Sequence, residues 1–190
     1  MKTYTSITLI FLSIVLFGQT RNDTVDFNNI NHSLLNELLL EKTNDERKNI
    51  SITPYVEHEV CSLSAQYQCE YMTFYNRVCH TNDFEFKNEK LVFIDDRVEF
   101  FSKGTKKNLV SEYEICLMRE YSYFKKITYE KLSSELIGQF MDSEPHKKCL
   151  LLDNKLKHKK CLSFSSKAKK SGDRKIKFYV TGISGVVLCK

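Results

Sequence analysis

The apolar residues of this chain change their period once. Up to Phe140 most of them recur at steps of three and four; beyond Cys161 they recur at steps of two. The strongest helical stretch runs from Thr128 to Leu152, where Leu132, Leu136, Ile137 and Phe140 share one face and Lys131, Ser134 and Gln139 fall outside it. Thr128 caps its start. Asp142 and Ser143 compete for backbone hydrogen bonds at its end, and Pro145 biases Glu144 away from helical geometry, so the pattern predicts His146 just past a forced exit from the helix. After the period changes, Cys161 to Ser165 reads as one strand and Lys175 to Thr181 as another, with a turn at Gly172; Ile176, Phe178 and Val180 alternate with Lys175, Lys177 and Tyr179. That is a half-buried antiparallel hairpin. Helices first and strands last define an α+β domain, with helices layered on a small antiparallel sheet.

Three further helices are expected upstream. Ser33 caps the first, whose apolar face is Leu34, Leu35, Leu38 and Leu39 and which fades near Lys48. Thr53 and Pro54 open the second, with Val56, Val60, Leu63, Tyr67, Tyr71 and Phe74 as its buried stripe, ending near Arg77. His80 follows, ahead of the turn formers Thr81, Asn82 and Asp83, so that two histidines are each presented just beyond a well-anchored helix. Leu91 to Ile94 reads as a short strand. Glu99 stands among Val98, Phe100 and Phe101, which makes it either a partly buried carboxylate with a partner or an exposed residue of an irregular loop. Asn108 opens the remaining helix, through Leu109, Tyr113, Cys116 and Leu117 to about Tyr121.

A chain of 190 residues, 42% of them hydrophobic, suffices for one domain with a proper core. Residues 1–20 carry one lysine, an apolar run from Ile7 to Phe17 and then small and polar residues, the layout of a signal peptide; a retained signal anchor is the alternative. Residues 21–32 are Asn-rich and read as a linker, leaving 33–190 as the domain. The expected location is extracellular or periplasmic, with no membrane span in the mature chain. Three Asn-x-Ser/Thr triplets begin at Asn22, Asn31 and Asn49 and matter only in a glycosylating host. Export favours disulfides, and seven cysteines allow at most three internal bridges. No CxxC pair is present, against a zinc ribbon or a thioredoxin-type motif. On one helix Cys61 and Cys69 stand about 12 Å apart, too far to bridge each other, so each needs a partner elsewhere.

Charge is uneven. Residues 147–177 hold 12 Lys+Arg and 2 Asp+Glu, a net of +10. This is either a patch for anionic glycans, lipid headgroups or nucleic acid, or a solvated, lysine-guarded strand edge.

In this order the pieces resemble the CAP superfamily, the cysteine-rich secretory, antigen 5 and pathogenesis-related proteins, and look most like its secreted bacterial branch. LLNELLLEKTNDER resembles that branch's first helix, and Cys79-His80-Thr81 the close of the helix that brings the first family histidine. Residues 97–104 lie where the family has Gly-Glu-Asn, of which Glu99 alone matches; 140–146 resemble Trp-Met-Asn-Ser-Pro-Gly-His, and 178–185 resemble the last core strand. Phe140 replaces the tryptophan, Phe100 the asparagine and Glu144-Pro145 the Pro-Gly, and the second glutamate of the family's tetrad falls near Ser143, where no carboxylate stands. The resemblance implies a three-layer α-β-α sandwich in which His80, Glu99 and His146 meet in a central cleft, with a divalent metal such as zinc held there by His80 and His146 in some members.

Two functions follow as expectations. One is a secreted binding module whose cleft takes a peptide, glycan or lipid without turnover. The other is a metal-assisted hydrolase with His80 and His146 on zinc and Glu99 as the base. A Cys149/His146 hydrolase is weaker, because their spacing is local. Nucleic acid is disfavoured by export and by Phe164 and Phe178, which face inward rather than interleaving with the lysines.

Overall fold

The computed structural model describes residues 18–103, 105, 108–152 and 159–188. Most of the expected signal peptide and Cys189 lie outside these residues. The elements are α1 (His32–Asn49), α2 (Glu59–Tyr75), α3 (Ile94–Ser102), β1 (Asn108–Ser122), α4 (Tyr129–Met141), α5 (Glu144–Leu150), β2 (Lys159–Lys170) and β3 (Lys175–Leu188). The strands form an antiparallel sheet in the order β1-β3-β2. Helices α1 and α4 cover one face and α2 and α3 the other, so the fold is α+β in three layers.

Several expectations hold. Leu132, Leu136, Ile137 and Phe140 are buried on α4, and the Thr128 side chain accepts from Lys131 N–H. The β2–β3 hairpin turns at Ser171–Arg174, where Gly172 takes φ +77°.

Others are corrected. The helix expected from Asn108 to Tyr121 is the strand β1. After its first turn, Ile115, Leu117 and Tyr121 face α1 and α4, while Glu114, Cys116 and Met118 face α2 and α3. A strand covered on both faces lacks polar alternation and reads as helix as easily as strand. A bulge at Glu112, between Ser111↔Gly185 and Tyr113↔Ser184, reverses the two faces, so Leu109 packs toward α2 and α3. Gly185 is required opposite it: a Cβ there would stand 2.7 Å from the Val110 carbonyl oxygen.

Helix α2 starts at Glu59 rather than beside Pro54, because Val56 bridges to β2: its N–H donates to Lys160 O, and Leu162 N–H donates to Val56 O. His58 becomes the cap. The stripe that α2 lays on the sheet is Cys61, Ser64, Ala65, Gln68, Cys69 and Met72, whereas Leu63 and Phe74, expected inside, are exposed. Small side chains and thiols let the helix approach Ser163, Ser165 and Thr181 closely. Residues 21–32, expected as a linker, pair with the start of α4 through Thr24↔Thr128 and bury Val25 and Phe27. Among the described lysines of the basic third, Lys167 pairs with Glu70, Lys175 and Lys177 with Glu120, and Lys169 donates to the last carbonyls of α2. Among the described residues no helix is long and apolar enough to cross a membrane.

Candidate functional site

His80 lies five residues past α2, in a loop tied down by its neighbours. Asn76 ends the helix in the left-handed region, Gln68 Nε2 donates to Cys79 O at 2.6 Å, and Asn82 bonds Val92 O and Leu91 O through its backbone and side chain. The imidazole is half exposed, and its Nδ1 meets Glu114 Oε1 at 3.1 Å. Glu114 projects from β1 and is 4% exposed; its other oxygen takes the fully buried guanidinium of Arg97, on α3. Arg97 also donates to Val92 O at 3.4 Å. The order is thus an inner cation, a buried carboxylate and an outer imidazole.

His146 is placed differently from expectation. Pro145 does not send the chain into a loop; it sits in the first turn of α5, where a missing N–H costs nothing, so the imidazole projects from a helix capped by Ser143. Its ring meets the buried Phe140 edge to face, with centroids 5.4 Å apart. Helix α5 touches β1 and is held by the buried Arg47 of α1, whose Nη1 donates to Leu150 O at 2.8 Å and Leu152 O at 3.3 Å. The same guanidinium stacks 3.8 Å over Tyr55.

The two histidines are driven in opposite directions in protonation. The hydrogen bond to Glu114, reinforced by its charge, raises the His80 pKa against burial and Arg97. Burial lowers that of His146, and the charge of His80 lowers it further.

Glu99 is not brought to this site. It stands on the exposed side of α3 and lines a surface recess with Asp95, Val98 and Ser102. The carboxylate at the histidine is Glu114. Reading β1 as a helix hid it; in a strand register the spacing Glu114-x-Cys116 would have placed a carboxylate and a thiol on one face. Arg97 was hidden because a buried arginine has no sequence signature beyond its partner.

The metal that the family resemblance implies was tested against the donors. His80, Glu114 and Cys116 have ligand atoms within 4.8 Å of one another, and among the described residues His146 joins no such group. A divalent cation there would have to displace Arg97 from Glu114 and deprotonate Cys116, a thiol 3% exposed whose pKa burial pushes far up. Arg97 already supplies the positive charge. These residues do not fit a resident divalent metal.

No protein-family model matches the chain, and no curated protein matches it in sequence. Two solved structures are similar in fold. One is an extracellular protein containing an SCP domain from Bacillus anthracis str. Ames, 13% identical with a TM-score of 0.47 over 80% of this chain and 40% of that one. The other is an outer surface protein from Borrelia burgdorferi, 12% identical with a TM-score of 0.48 over 89% of this chain and 99% of that one. The chain spans about two fifths of the Bacillus protein.

Proposed function

We propose that this chain is an exported, CAP-like binding module that takes an extracellular peptide, glycan or lipid in the cleft between His80 and His146, without turnover. The observation that carries the reading is the Arg97–Glu114–His80 relay, with His146 biased the opposite way in protonation. A histidine biased toward the protonated form and one biased toward the neutral form suit a ligand that presents an anionic or acceptor group together with a donor. Glu114 acts here as a positioning residue: it selects the tautomer and charge of His80, while Arg97 keeps the buried carboxylate neutralised. Among the described residues no hydrogen bond joins a hydroxyl or thiol to His80 or His146.

The test is a screen of the exported protein on glycan, peptide and lipid arrays beside a His80→Ala, His146→Ala double variant whose melting temperature matches wild type. A ligand held by wild type and lost by at least tenfold in the variant is the expected result. Its binding should weaken as pH rises above about 6.5 through the raised pKa of His80. Equal binding by both proteins sinks the cleft reading. Stoichiometric zinc in wild type that disappears in the variant would instead favour the hydrolase.

A further inference from the structure

We propose that Cys61 and Cys161 form a disulfide that locks α2 onto β2. The two sulfurs lie 3.2 Å apart, and both residues are fully buried. Cys61 sits in the first turn of α2, which the His58 cap and Val56 bridge seat beside β2; Cys161 projects from β2 into the same small cluster as Val60, Val98, Leu109 and Ile183. A small adjustment of both side chains brings the sulfurs to bonding distance, about 2.05 Å. The alternative occupant of the spot is a metal, since His58, Cys61 and Cys161 have ligand atoms within 4.8 Å of one another. The sulfurs argue against it. Two thiolates on one zinc stand about 3.8 Å apart for bonds of about 2.3 Å in a tetrahedron, wider than observed. The Nδ1 of His58 is also taken by Val60 N–H at 3.3 Å.

The bond needs an external disulfide as oxidant. The Cys161 thiolate attacks one of its sulfurs and expels a thiolate, giving a mixed disulfide; the Cys61 thiolate then attacks the Cys161 sulfur and expels the second. Two protein thiols lose two electrons and two protons, and one external disulfide becomes two thiols. Because neither sulfur is accessible in the folded protein, exchange happens before α2 seats on the sheet, and the finished bond is shielded from reductants. The residues joined are 100 apart, and the closed loop contains His80, Arg97, Glu114 and His146. One bond thereby ties every element of the cleft into a single covalent ring.

The experiment is export of the full chain from an oxidising host, denaturation without reductant in the presence of an alkylating agent, and peptide mapping. The expected result is a cross-linked peptide joining Cys61 to Cys161, with a mass about 2 Da below that of the two free peptides. Reductant added under partly denaturing conditions should lower the melting temperature of wild type by about 10 °C and leave a Cys61→Ala, Cys161→Val variant unmoved. Either cysteine alkylated after denaturation, either one linked to a different partner, or a metal ion released in place of the cross-link overturns the proposal. The mapping is done on wild type, so it decides the matter even if the variant does not fold.

Discussion

The two faces of the sheet are closed by different means. Toward α1 and α4, 21 buried residues form one continuous apolar cluster, from Val25 and Phe27 through Leu35, Phe140 and Phe178. Toward α2 and α3 the buried apolar residues split into clusters of seven and four, and among the described residues they include Cys61, Cys69, Cys116 and Cys161. The rest of that layer is polar: Ser64, Gln68, Ser163, Ser165 and Thr181 are buried between helix and strand, and Arg97 and Glu114 bury a charge pair. One face draws on volume. The other draws on close approach, sulfur and a charge pair, and it is the one that presents His80. A layer with less apolar surface leaves more of its stability to specific pairs.

The largest effect expected from breaking this contrast is on the polar face. Arg97→Ala leaves Glu114 buried without its cation and should cost about 4 kcal/mol by denaturant unfolding, while Arg97→Met with Glu114→Leu should recover most of it. Equal loss in the single and double variants would mean the pair is not the stabilising unit. On the apolar face, Leu136→Ala removes a fully buried side chain and should cost about 3 kcal/mol, with no change in binding at the cleft. A cleft defect in that variant would show the faces to be coupled.

The smallest effect separates the faces by pH. His32 on α1 bonds Ser166 through Nδ1 at 2.9 Å, and burial, with Lys167 nearby, lowers its pKa to about 4. Its folded pKa is below its unfolded one, so the stability it allows is complete above about 6.5 and is lost as pH falls toward 4; discounted for partial exposure this is about 1 kcal/mol. His32→Gln should flatten that acid limb in pH-dependent unfolding. Reductant, by contrast, should act on the other face.

How much of this was legible in the sequence follows the same division. The α4 stripe and the β2–β3 hairpin were readable because each has one buried and one solvated side, which leaves a clean period. β1 and α2 were not. β1 is covered on both sides, and the side of α2 on the sheet is made of serines, an alanine, a glutamine and cysteines that carry no hydrophobic signal. The site inherited both errors. His80 and His146 could be placed near helix ends because α2 and α4 were legible in outline, although Pro145 starts a helix where it was expected to end one. Glu114 and Arg97 belong to the covered layer and were missed, and Glu99 was chosen on a motif that matches the family at one position only.

The bulge at Glu112 makes the length of β1 as consequential as its composition. Upstream of it the strand gives Leu109 to the α2 side; downstream the same parity gives Ile115 and Leu117 to the other. Deleting one residue there would leave Glu114 in register but turn Leu109 out of its cluster and into the opposite layer, and it would remove the kink that Gly185 accommodates. A substitution in this strand edits a side chain; an insertion or deletion exchanges the inside of one layer for that of another, so drift in this part of the chain should be tolerated letter by letter and not in length.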